Sequence, residues 1–146
     1  MSGPDIDLEL ELTRLARRLR RRSVQLVSEL HPDLDYGTYL FFLAICDAPG
    51  RVRGADLAEM TGVHKSTASR AVAALVCFGL VEQRPDPSDG RARLLVPTPD
   101  ALKRQTAYRA AMRDRLNEFL ADWDLDDLDT FISLMRRFND SAEASG

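Results

Sequence analysis

Two glycines, Gly62 and Gly79, bracket a proline-free stretch with a clean helical period. Ala68, Val72, Leu75 and Val76 converge on one face, and Ser66, Thr67, Arg70 and Ala74 on the other. At 100° per residue this predicts an amphipathic helix from about Lys65 to Phe78, with Gly79 as the left-handed residue after its last turn. A shorter helical pattern, Ala55–Thr61, precedes Gly62, with Leu57, Ala58 and Met60 apolar. After Gly79 come two strand candidates, Leu80–Arg84 and Arg93–Val96. Between them Pro85–Ala92, with two prolines and Asp89-Gly90, predicts an eight-residue hairpin loop. Strands this short cannot carry a sheet-based core. The expected class is therefore mainly α with a small β-hairpin.

Long helical patterns flank this centre. Leu8, Leu12, Leu15, Leu19, Leu26 and Leu30 form one stripe, with Arg14, Arg17, Arg18 and Arg21 on the opposite face. That arginine run reads first as a solvated helix face, with phosphate or an acidic partner as the alternative. Pro32 ends the helix, and Asp33 or Asp35 can cap the next, Tyr36–Asp47, which is apolar nearly all round and so expected to be buried. Ala48-Pro49-Gly50 stops it, and Arg51–Arg53 can make a short extended link. Thr98 and Pro99 open another long helix, in which Leu116, Phe119, Leu120 and Trp123 follow the i, i+3, i+4, i+7 pattern. Asp124 caps a last helix with Leu128, Phe131, Ile132, Met135 and Phe138 on one face, and the tail SAEASG is expected to fray.

Charge and motifs narrow the function. The net charge of −3 hides an asymmetry: residues 51–104 carry +3, while the segments before and after carry −2 and −4. A basic middle between acidic ends fits a nucleic-acid-facing centre. Two cysteines and two histidines make neither a disulfide framework nor a zinc site, so no metal and no cofactor is expected. Neither dinucleotide, P-loop nor nucleophile-elbow motifs occur, and no nucleophile–base pair is displayed, so an enzyme is not expected. The longest apolar run, Tyr39–Cys46, is far short of the ~20 residues of a membrane span. The N-terminus lacks the basic region of a secretory signal, so a cytoplasmic location is expected.

A short helix, a glycine turn and a second helix with a polar outer face is the helix-turn-helix pattern. The second helix must enter a major groove ~12 Å wide, so its outer face cannot be bulky throughout. Ser66, Thr67 and Ser69 can donate to phosphates or base edges, and Arg70 can pair with phosphate or bidentately with guanine. The hairpin, with Arg84, Arg91 and Arg93, makes a wing whose tip arginine, Arg91, is placed for the adjacent minor groove. A surface hairpin with solvated arginines is the alternative.

Asp56–Val63, Lys65–Arg70, Gly79-Leu80-Val81 and Arg84–Arg91 together resemble the MarR family of bacterial winged-helix regulators. The motif resemblance covers residues 53–100, and the helix order covers the chain. It implies a single domain, 1–146, with a winged helix-turn-helix DNA-binding region at 36–98 and dimerisation helices at 5–31 and 99–140. It implies a homodimer on a pseudo-palindromic operator in double-stranded DNA, usually repressing, and often releasing DNA when a small aromatic or lipophilic ligand or an oxidant acts. Family recognition-helix positions carry over to Lys65, Ser66, Thr67, Ser69 and Arg70, and the wing pair to Asp89 and Arg91. His64 stands where Ser is common; it is a poorer N-cap but can contact phosphate.

A ligand pocket between wing domain and dimer helices would draw polar tips from His31, Tyr36 and Tyr39. Tyr36 and Tyr39 read first as core or interface aromatics, with the ligand role as the alternative. Cys77 is expected to be partly exposed, and Cys46 lies within the apolar helix. Oxidant sensing needs a lowered thiol pKa and access, and neither cysteine matches the redox-sensing branch. The alternative function is a winged-helix protein-interaction module that does not bind DNA. The wing arginines favour DNA, since a protein-binding wing has no need of them.

Overall fold

The computed structural model describes residues 4–48 and 52–144. Pro49-Gly50 and Arg51, read above as a stop and the start of a link, lie outside the described residues, as do Ser145 and Gly146 of the tail. Among the described residues six helices and three strands run in the order α1 (Pro4–Leu30), α2 (Tyr36–Asp47), β1 (Val52–Arg53), α3 (Gly54–Thr61), α4 (Lys65–Cys77), β2 (Val81–Asp86), β3 (Asp89–Pro97), α5 (Pro99–Leu120), α6 (Leu125–Glu143). The chain divides into two compact units, residues 1–108 and 109–146.

In the first unit the core gathers the end of α1, one row of α2, α3, the inner face of α4 and the sheet. Val27, Phe42, Leu57 and Leu75 are fully buried. Each such side chain contributes about 1.5–3 kcal/mol of transfer free energy. Buried Tyr39, Phe42 and Ile45 recur at i, i+3, i+6, while Leu40 on the far side of α2 is half exposed. The expectation that α2 is buried all round is thus corrected: its neighbours cover one row. Asp35 caps this helix, its Oδ1 accepting the Thr38 N–H at 2.7 Å.

Gly62 and Gly79 adopt φ of 66° and 71°. After each, the chain closes back on the helix: the Val63 N–H donates to the Ala58 carbonyl, and that of Leu80 to the Leu75 carbonyl at 2.9 Å. The Gly79 N–H also donates to Val76, completing a Schellman motif whose flanking leucines, Leu75 and Leu80, are both buried. α4 therefore ends where its sequence says, although Val76, expected on the inner face with Val72, is partly exposed, as is Met60 of α3.

The sheet departs most from expectation. It has three antiparallel strands in the order β1-β3-β2, with Arg53 opposite Leu94 and Arg84 opposite the same Leu94 from the other side. The eight-residue loop expected between the wing strands is a two-residue turn, Pro87-Ser88, because pairing continues to Asp86 and Asp89 with a register shift at Pro85/Asp86. Thr98 closes the hairpin onto α5: its hydroxyl donates to the Gly79 carbonyl and accepts the Ala101 N–H.

α1 buries Leu26, Val27 and Leu30, but Leu8, Leu10, Leu15 and Leu19 are exposed. The second unit buries no residue of α6, and Leu116, Phe119, Phe131, Ile132 and Phe138 are exposed. α5 ends at Leu120 rather than continuing through Trp123, which lies in a turn against Phe131, ring centroids 5.6 Å apart. Residues 141–143, expected to fray, are the last turn of α6.

Candidate nucleic-acid interface

α4 presents its N-terminal half outward. His64 is the N-cap residue in extended conformation, and its side chain caps nothing. Both it and Lys65, Ser66, Thr67, Ser69 and Arg70 are exposed, while Ala68, Ala71 and Val72 anchor the other face. A helix start without a side-chain cap leaves backbone N–H groups for an anion. Two clefts flank the helix. One, of about 570 Å³, lies between Lys65, Ser69 and Ala73 on α4 and Gln83, Ala92 and Arg93 on the wing. The other, of about 320 Å³, lies between Thr67 and Arg70 and the start of α2 at Asp35, Gly37 and Thr38. The hydroxyls and cations singled out in the sequence thus border two grooves beside one exposed helix face.

The wing cations are not equivalent. Arg84 is held by Glu82 on its own strand, at 2.9 Å, so its charge is met by an exposed partner that gives little stability. Arg91 and Arg93 are exposed, as are Lys65 and Arg70, and among the described residues none of the four makes an ion pair. Asp89 accepts the Arg91 backbone N–H at 3.1 Å, bracing the chain next to the turn.

Beneath the turn lies a network that sequence reasoning missed. Asp86 is 5% exposed. Its Oδ1 accepts the Ser88 amide at 2.9 Å and the Ser88 hydroxyl at 2.7 Å. Its Oδ2 accepts Arg53 Nε at 3.0 Å and Nη2 at 2.6 Å. The Ser88 bonds, then those of Arg53, hold the Asp86 carboxyl down from its usual 3.8 to about 2 against the opposing effect of burial. The Arg53 guanidinium is correspondingly raised, chiefly by its bond to Asp86. The Asp86-Pro87-Ser88 spacing is an Asx-turn signature that could have shortened the expected loop. The Arg53 partner has no local signal.

The residues considered for a ligand separate. His31 stacks on Phe78 at 4.3 Å, and its Nδ1 accepts the Asp33 N–H. Tyr39 is buried against Tyr108, ring centroids 5.3 Å apart, with half-buried Tyr36 at 6.4 Å. Gln105, 4% exposed, donates to the Tyr39 hydroxyl at 3.3 Å, and its buried Oε1 finds no hydrogen-bond partner among the described residues. Cys77 is exposed and Cys46 half buried. No group of three metal-ligating side chains occurs among the described residues, and no helix there is long and apolar enough to cross a membrane.

Known proteins share this architecture. The MarR family model matches residues 33–92. The uncharacterized HTH-type transcriptional regulator YxaD of Bacillus subtilis (strain 168) is 32% identical over 107 residues, 73% of this chain and 74% of its own. YybA, another HTH-type regulator of that organism, is 27% identical over 94% of this chain and 89% of its own. Among solved structures, RV1404 from Mycobacterium tuberculosis superposes with a TM-score of 0.81 at 16% identity, covering 98% and 97% of the two chains. The PcaV transcriptional regulator from Streptomyces coelicolor is 28% identical, with a TM-score of 0.57 over 90% and 97%. The uncapped, hydroxyl-rich α4, the arginine-bearing hairpin after it and these relatives agree: the chain belongs to the MarR family of DNA-binding transcriptional regulators.

Proposed function

We propose that the protein is a homodimeric repressor of a pseudo-palindromic operator, with residues 36–98 reading the DNA and the helices at 5–31 and 99–140 joining the protomers. The observation that carries this reading is a set of four exposed cations that make no ion pair among the described residues, Lys65 and Arg70 on α4 and Arg91 and Arg93 on the wing. Unpaired cations of this kind neutralise phosphates and release counterions. His64, Ser66, Thr67 and Ser69 supply further donors at the start of the recognition helix. In this reading Arg84 and Asp89 shape the wing more than they grip DNA.

Dimerisation rests on the apolar faces. Leu8, Leu15 and Leu19 of α1, and Phe119, Phe131, Ile132 and Phe138 of α5 and α6, are exposed in the single chain. That is more apolar surface than a monomer ordinarily leaves to water, and a two-fold copy covers like surface with like. A small aromatic or lipophilic ligand is part of the proposal. Gln105 Oε1, which has no hydrogen-bond partner among the described residues, offers an acceptor on the side chain bonded to Tyr39, whose ring packs near Tyr36 and Tyr108, and His31 lies in the link between α1 and α2.

Salt-titrated binding to duplex DNA from the intergenic region beside the protein's own gene, with footprinting, tests the proposal. Two protected half-sites about one helical turn apart and affinity falling steeply with salt are expected. A single asymmetric site overturns the two-fold reading of the operator, and duplex affinity that is absent or flat in salt overturns the proposal in favour of a protein-interaction module.

A further inference from the structure

We propose that Arg53 is a positioning residue for DNA binding: its grip on Asp86 locks the wing turn to the start of α3, and so sets where Arg91 stands relative to α4. Three observations converge on Arg53. Its side chain reaches from the edge strand β1, across the central strand β3, to Asp86 at the end of β2. Its backbone N–H donates to Asp56 Oδ2 at 3.1 Å in the first turn of α3. Its Nη1 stands 4.0 Å from Asp89, the residue that accepts the Arg91 N–H. One residue thus joins the start of α3, through its backbone N–H, to the turn beside Asp89 and Arg91, through its guanidinium.

The chemistry requires arginine. Both Nε and Nη2 donate to a single carboxylate oxygen while the other oxygen is filled by Ser88. A lysine has one nitrogen and no fixed fork, so it restores the charge but not the direction. The turn has only two residues, so a change in the tilt of Asp86 is passed directly to Asp89 and Arg91. Arg53 is also partly exposed and borders the cleft beside Lys65 and Ser69. A direct phosphate contact by Arg53 is therefore the rival account, and the experiment separates the two.

This inference rests on the reading of the wing as a DNA contact. The test is a double-mutant cycle on operator DNA in full-length protein: Arg53→Met, Arg91→Ala and both together, with Arg53→Lys as the conservative variant. Arg91→Ala alone is expected to weaken binding about tenfold and to lower the salt slope by about one. In the Arg53→Met background the same change should cost less than about threefold, because Arg91 is no longer held in place. Arg53→Lys should restore part of the affinity and part of the Arg91 effect. If Arg53→Met does not fold, Asp86→Asn takes its place in the cycle, since it removes the same grip and keeps the Ser88 acceptor. Losses that add in full make Arg53 an independent contact and overturn the positioning role while leaving the wing reading intact. No loss for Arg91→Ala in the otherwise native protein overturns the wing reading itself.

Discussion

Arg91 donates its backbone N–H to Asp89 Oδ1 at 3.1 Å, and its guanidinium meets no carboxylate among the described residues. The main chain at the wing tip is fixed while the charge is left to be satisfied from outside. Arg70 is likewise unpaired, but it stands on the exposed face of α4 one turn beyond Ser66 and Thr67.

The two arginines are expected to fail differently when changed to alanine. The minor groove offers width and a degenerate pattern, so Arg91→Ala should weaken operator and scrambled DNA by similar factors. If Arg70 reads a base, its loss costs about 1–3 kcal/mol on the operator and much less on scrambled DNA. We expect base reading, because Ala73 and Ala74 leave Arg70 as the only long side chain on the outer face of α4 beyond Lys65. Binding of both variants to both DNAs at two salt concentrations decides it. Equal losses on the two DNAs make Arg70 a phosphate contact.

The Asp86 carboxyl is lowered from 3.8 to about 2, and the pH dependence follows from that direction. A carboxylate easier to ionise when folded contributes stability that is fully present above the unfolded value. That contribution is lost as pH falls from near 3.8 through about 2. Asp86→Asn, which cannot ionise, should therefore lose less stability than the native protein across this window. Urea denaturation of both proteins between pH 5 and 2 measures it, and parallel curves would mean that Asp86 is equally ionised in the unfolded chain.

Gly79→Ala tests the turn that joins recognition helix to wing. The added Cβ meets nothing within 4 Å, so only the φ of 71° opposes it. The expected cost is about 1–2 kcal/mol. Gly79→Asn, better suited to left-handed backbone, should lose less. Denaturation midpoints rank the three proteins, and an alanine variant as stable as the native chain removes the argument.

What the sequence made legible were features that local chemistry determines. Gly62 and Gly79 end their helices because neighbouring carbonyls need a left-handed residue, and Thr98 and Asp35 cap theirs with side chains three residues from the amide they serve. The outward position of Ser66, Thr67 and Arg70 follows from period alone. What stayed hidden depended on distant pairing. β1 is two residues long and exists only because β3 offers Leu94 and Leu95. The Arg53–Asp86 bond joins residues 33 apart and is set by strand register. Asp86 is not legible in the sequence, because a carboxylate beside proline reads as loop until its partners are known. Likewise the leucine stripe of α1 marks a face without saying what covers it, so Leu26 and Leu30 are buried while Leu8 and Leu19 are not.

Those uncovered faces support the remaining prediction. α6 buries nothing within the chain, yet Phe131, Ile132 and Phe138 recur at the spacing of a packed helix. A solvent-facing helix gains nothing from such a row, whereas a helix at a two-fold interface buries it against its copy. Removing residues 125–146 should therefore yield monomers or aggregates, seen by light scattering. It should also remove most specific DNA affinity, because two half-sites are then no longer held by one particle. Single substitutions Phe131→Ser and Ile132→Ser should shift the dimer toward monomer in the same direction while leaving the helix-turn-helix intact. A truncated protein that stays dimeric and binds the operator fully would place the interface elsewhere, with the exposed leucines of α1 as the next surface to alter.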